Sequence, residues 1–199
     1  EWSGHCVRVL KEVYEDLEKF SKDNNFPVSS LACTIIAIIF SPAGLLVTHI
    51  GDGRAGYCDE NGEWKSVITP HKGEESNHTL FITSTAWMED EHLLVSNVRV
   101  PESNIIRGKI TAFTLLSDGC ERQSFNCSVM DAETNKWTDL NKPFPGFFDP
   151  ICNNLRAMSS NKLSLEEVNE KWKQFLQDGS EKLKNEPDDK TMIIGVLRR

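Results

Sequence analysis

The chain has 199 residues, 39% hydrophobic and 26% charged, with a net charge of −8. That length suits one domain with its own core, and the apolar run IIAIIF at 35–40 is too short to span a bilayer. The acidic balance argues against a nucleic-acid surface, which carries a basic patch or stripe. The six cysteines contain no C-x-x-C pair, and several sit within apolar segments. They read as buried thiols of a reducing, cytoplasmic compartment. The opening EWSGHCVRVL lacks the order of a signal peptide and an initiator Met, so a longer protein is expected.

From Cys6 to Phe20 apolar residues fall at 6, 10, 13, 17 and 20, with charged residues on the other face. That spacing predicts an amphipathic helix over 5–22. CTIIAIIF, rich in β-branched residues and bounded by Ser41-Pro42-Ala43-Gly44, predicts a buried strand, and GLLVTHI a hairpin partner. AGYCDENGEWKSVIT holds Asn61-Gly62 between two β-like runs, a strong hairpin signal. The pattern predicts a meander of adjacent antiparallel strands. TLFITS (79–84), HLLVSNVRV (92–100) and KITAFTLLS (109–117) supply further strands. Residues 120–150 lose periodicity and read as an irregular connection containing the aromatic cluster PFPGFFDP. Ser164 and Glu167 form a capping-box pattern flanked by Leu163 and Val168. The helix they open carries apolar residues at 165, 168, 172, 175 and 176 and ends at Asp178-Gly179. TMIIGVL is a closing strand. The whole chain, 1–199, reads as a single domain in which each greasy helix face covers a sheet.

Carboxylates recur at strand ends. LLVTHIGDG ends in Asp52, TAFTLLSDG ends in Asp118, and PDDKTMIIGVL begins with Asp188 and Asp189. In antiparallel sheets the end of one strand and the start of its neighbour share an edge, so suitable pairing brings such residues together. Converging carboxylates repel one another unless a cation offsets their charge, and oxygen-ligated Mg²⁺ meets that need with one or two carboxylates. Gly53 and Gly119 remove the side chain that would crowd a ligand. Any one Asp-Gly taken alone reads more readily as a solvated turn than as a ligand.

ACTIIAIIF, VTHIGDGRAGY, TLLSDG and PDDKTMIIGVL, in this order, resemble the metal-dependent type 2C protein phosphatases. PHKGEESNHTLFITS and SDGCER resemble that family's divergent, largely bacterial branch. The resemblance covers residues 5–198. It implies an α+β fold, a four-layer α-β-β-α sandwich of two antiparallel sheets flanked by helices, with a binuclear Mg²⁺ or Mn²⁺ centre at one edge. It also implies hydrolysis of phosphoserine and phosphothreonine in a phosphoprotein substrate by a metal-activated water, with no side chain as nucleophile. Asp118 and Asp188 become metal ligands, and Asp52 acts through water. Asp189 supports the ligands from behind, with Gly119 and Gly53 beside them.

The family's Asp-Gly-x-Gly ligand motif does not precede the first helix. The expected enzyme is therefore N-terminally incomplete here, with early strands and ligands coming from a complementing N-terminal segment. The alternative is a catalytically inactive phosphatase-like module that binds a phosphoprotein or partner. Arg122 stands where many relatives carry an Asp that helps hold a further metal. His49 reads as a general acid or, more simply, a satisfied strand histidine. His71 and His78, with Glu74, Glu75 and Asn77, form a polar loop whose spacing matches no metal motif. Cys120 reads as packing, since SDGCERQS lacks the phosphate-cradling loop of a cysteine phosphatase. Phe144, Phe147 and Phe148 read as loop packing or a partner surface.

Overall fold

A computed structural model describes residues 1–72, 79–90, 92–132 and 134–197. The loop residues Glu74, Glu75, Asn77 and His78 lie outside the described residues. In chain order the elements are α1 (Trp2–Asp23), β1 (Ile35–Ser41), β2 (Gly44–Ile50), β3 (Arg54–Asp59) and β4 (Trp64–Ser66). The short α2 (Ala86–Glu89), β5 (Leu94–Val95) and β6 (Val98–Arg99) follow, then β7 (Glu102–Arg107) and β8 (Ile110–Leu116). After these come α3 (Glu121–Ser124), β9 (Phe125–Asn126), β10 (Val129–Met130), β11 (Trp137–Thr138) and β12 (Lys142–Pro143). The chain closes with α4 (Pro145–Ser160), α5 (Leu165–Asp178), α6 (Glu181–Lys184) and β13 (Met192–Val196). The fold is α+β with antiparallel sheets and helices.

The described residues divide into two compact units, one of residues 1–53 and 67–108, the other of 54–66 and 109–199. The first holds the antiparallel sheet β1-β2-β7. Its core gathers Leu10, Ile50, Ile82, Trp87 and Val100, with Val13, Tyr14 and Leu17 of α1 packed against them. The apolar stripe of α1 is buried as its period requires, and the Trp2 indole N–H donates to Val47 O at 3.0 Å, pinning the helix start to β2.

The second unit holds the antiparallel sheet β13-β8-β3-β4. β8 alternates buried and half-buried residues along its length, the period-2 pattern of a strand with one face in a core. That core stacks Trp64 on Phe148 at 4.5 Å and gathers Leu116, Phe125, Phe147, Leu176 and Met192. The Trp172 indole donates to Met192 O at 3.0 Å and fixes α5 to β13. The capping box of α5 is formed as expected, Ser164 and Glu167 exchanging side-chain and backbone hydrogen bonds.

Four expectations change. The strands do not form one meander: β2 pairs with β1 and β7, whereas β3 pairs with β4 and β8, so the chain changes sheets across Gly51–Gly53. Residues 79–84 form a turn rather than a strand, with Ile82 N–H donating to Cys33 O and Phe81 N–H to Ser84 Oγ. HLLVSNVRV is a tight hairpin, because Ser96 and Asn97 take left-handed φ values of 53° and 64° between β5 and β6. PFPGFFDP opens α4, with Pro145 in the first turn and Phe147 and Phe148 buried.

Candidate metal centre

β13 pairs with β8 so that Met192 stands opposite Leu116. The residues preceding β13 therefore lie across from those following β8, and the two acidic segments share an edge. Ser117 ties them together. Its N–H donates to Thr191 O at 3.0 Å, its hydroxyl donates to Asp189 O at 3.2 Å, and that hydroxyl accepts from Thr191 N–H at 3.0 Å. Gly119 sets the closeness, since a Cβ there would stand 2.4 Å from Asp189 O. Asp118 Oδ1 accepts from Gly119 N–H at 2.9 Å, and Asp188 Oδ1 from Asp189 N–H at 2.8 Å. Local N–H donors thus orient both carboxylates. Asp118, Asp188 and Asp189 are exposed, so the apolar strand is buried only up to the turn that carries the charge. Both segments thus carry an oxygen-only carboxylate, the donor type that hard divalent cations take.

Asp52 and Gly53 belong to the other unit. Gly51 has φ +131°, and a Cβ on it would stand 2.4 Å from the Thr34 side chain, so only glycine fits. Two enclosed histidines grip the Gly51 peptide groups. His71 N–H donates to Gly51 O at 2.7 Å, His49 Nε2–H donates to the same oxygen at 3.1 Å, and Gly51 N–H donates to His71 Nδ1 at 3.2 Å. This clamp fixes the backbone immediately before Asp52, whose carboxylate accepts from the Thr79 hydroxyl. Burial, reinforced by His71, pushes the His49 pKa down to about 3. Burial pushes His71 down to about 4 against the opposing pull of Asp52. Both rings are neutral near pH 7, as an accepting Nδ1 on His71 requires. His49 is thus a strand histidine, fully enclosed and bonded to backbone, rather than a general acid.

Among the described residues, His49, His71 and Glu102 are the group whose metal-ligating atoms come within 4.8 Å of one another. The ring geometry argues against a shared ion. The imidazoles stack at 4.1 Å with a 25° interplanar angle, whereas an ion bonded to both must lie in both ring planes, about 3 Å from each ring centre. Planes so nearly parallel meet much further away. His71 Nδ1 is also committed to Gly51 N–H. Glu102 is committed as well: Oε2 accepts from Thr69 N–H at 2.6 Å, Oε1 accepts from the Asn104 amide at 2.8 Å, and burial raises its pKa.

Arg54, to which the sequence motifs assign no role, is fully buried in β3. Its Nε donates to Glu121 at 2.8 Å, its Nη1 to Asp139 at 3.2 Å and Asn141 at 2.7 Å, and its Nη2 to Asp139 at 2.6 Å. The sequence signal was an arginine among the small, apolar residues of GDGRAGY, since a buried guanidinium demands anionic partners. Arg122 is exposed on α3. Cys120 is buried and its thiol is pushed up to about 11 by burial, a packing residue rather than a nucleophile. Phe147 and Phe148 belong to the core, while Phe144 is exposed.

The sequence profile described as Protein phosphatase 2C matches residues 2–177. The chain is 34% identical over 169 residues to Serine/threonine-protein phosphatase 3 of Escherichia coli (strain K12), covering 85% of this chain and 57% of that protein's length. A crystal structure of a bacterial serine phosphatase bearing an arginine-to-glutamate mutation covers 95% of this chain and 64% of its own, at a TM-score of 0.48 and 14% identity. The corresponding arginine-to-alanine form gives 0.46 and 13%, covering 93% and 61%.

Proposed function

Because the chain belongs to the protein phosphatase 2C family, we propose that the whole protein is a Mg²⁺- or Mn²⁺-dependent serine/threonine phosphatase of which residues 1–199 form one catalytic domain. Metal dependence is typical of the family. The observation that carries the reading is the contact at Gly119, which sets Asp118 and Asp188 on abutting backbone. In the proposal these two carboxylates hold a binuclear Mg²⁺ or Mn²⁺ centre. Asp189 supports the pair through the carbonyl that receives the Ser117 hydroxyl. Gly119 keeps a side chain out of the contact with Asp189. When bound, the metal ions supply a water acidic enough to attack phosphorus near neutral pH and charge to offset the phosphoryl oxygens.

The chain spans 57% of the length of its E. coli relative, and a complementing N-terminal segment belongs to the proposal. The support for it is that among the described residues β1 and β13 are edge strands of their sheets, each exposing an isoleucine, Ile39 and Ile193. The substrate proposed is a phosphoprotein. No helix among the described residues is long and apolar enough to cross a membrane. Buried Cys58, Cys120 and Cys152, whose thiol pKa values burial raises, support a reducing cytoplasm.

Full-length protein is expected to dephosphorylate a phosphothreonine peptide with Mn²⁺ present and to lose about a hundredfold or more in rate with Asp118→Asn. Turnover that persists in EDTA and in Asp118→Asn would sink the assignment. Phosphopeptide binding without turnover would identify the binding module instead.

A further inference from the structure

We infer that Arg54 is a positioning residue that ties the Asp118 turn to the root of the 125–144 excursion, so that metal affinity and order in the excursion rise and fall together. The metal half rests on the proposed role of Asp118; the excursion half stands without it.

Arg54 sits opposite Leu116 in the sheet register, two residues before Asp118. Its anchors come from two separate stretches. Glu121 lies three residues beyond Asp118, whereas Asp139 and Asn141 lie where the excursion returns. One planar cation with several fixed donors can join both stretches, because its forked geometry satisfies carboxylates on different sides. Its ring partner, Phe125 at 5.5 Å, opens the excursion. The root closes around this side chain. Asn141 N–H donates to Asp139 Oδ1 at 2.8 Å, the Ser66 hydroxyl bonds Asn141 O, and Pro143 pairs with Phe125.

Beyond the root, the described residues of the excursion are held by Cys127 against the core and by a short ribbon. β10 and β11 pair over two residues each, and a two-stranded ribbon is marginal alone. Val129, Met130, Trp137 and Leu140 are exposed, so the ribbon gains little from burial. The root therefore carries a large share of its attachment. Removing the guanidinium takes away the side chain that bonds both Glu121 and Asp139, so the Asp118 turn and the excursion lose their common anchor.

The test uses full-length protein with Arg54→Met, Arg54→Lys and Asp139→Asn. Mn²⁺ affinity is measured by calorimetry, and protease cleavage is mapped within 125–144. Arg54→Met is expected to weaken Mn²⁺ binding about tenfold or more, within the range for groups that orient metal ligands, and to speed cleavage within 125–144. Arg54→Lys keeps the charge but not the fork and is expected to recover only part of both losses. Asp139→Asn leaves the Glu121 pair intact and decides the matter should Arg54→Met fail to fold; faster cleavage with a smaller loss of Mn²⁺ affinity is expected. Folded variants with wild-type cleavage and affinity overturn the inference, as does a change in one readout without the other. Wild-type protein that binds no Mn²⁺ would instead defeat the functional reading, leaving cleavage to judge the tie at the root.

Discussion

At Gly51, a missing side chain and two imidazoles set the backbone beside a carboxylate. The His71 ring must stay neutral to accept from Gly51 N–H, which gives the clamp a pH dependence of known sign. An unfolded histidine titrates near 6.5, but here His49 and His71 titrate near 3 and 4. Below pH 6.5 the unfolded chain therefore binds more protons. The stability from the neutral rings is complete above 6.5 and lost as pH falls toward 4, by about 1–2 kcal/mol per histidine at pH 5. Melting temperature measured from pH 7.5 to 4.5 should fall accordingly. His71→Asn, whose amide oxygen can replace Nδ1 as acceptor, should flatten part of the decline. At Gly119, an alanine would push on Asp189 O; denaturant melts should show a loss of about 1–3 kcal/mol.

Elements with a strong period were legible in the sequence. α1, α5, β8 and β13 stand where their apolar spacing put them, and Ser164 caps α5 through Glu167 N–H. Ser164→Ala should cost about 1 kcal/mol in a urea melt. The misread elements are those where tertiary contacts override local signals. Pro145 and Pro150 made α4 look like a connection, yet Pro145 occupies the helix start, where its missing N–H costs little. Burial of Phe147, Phe148, Ile151 and Cys152 offsets the bond lost at Pro150. β7 opens with Glu-Ser-Asn, a polar start that hides a strand until Glu102 and Asn104 are seen serving Thr69 and Val67. The site divides in the same way. The adjacency of the Asp118 and Asp188 segments was legible because one follows and the other precedes an apolar strand. The Arg54 network was not, because its partners lie 67, 85 and 87 residues away in the chain.

For the whole molecule, a cation held only by the folded chain acts as a stabilising ligand. Mn²⁺ at a hundred times its dissociation constant should add about 2.7 kcal/mol. Calorimetric scans should then show a melting temperature several degrees higher with Mn²⁺ than with EDTA. In Asp118→Asn that rise should vanish, and because the measurement needs no substrate, it separates metal binding from turnover. The two units each have their own core, yet the chain passes between them after residues 53, 66 and 108. No single cut in the backbone separates the two units cleanly, because each is woven from two stretches. A fragment ending at residue 108 would carry all of the first unit but also residues 54–66 of the second, whose core it leaves incomplete. Exchanging one unit alone by recombination therefore means replacing two separate segments of the chain.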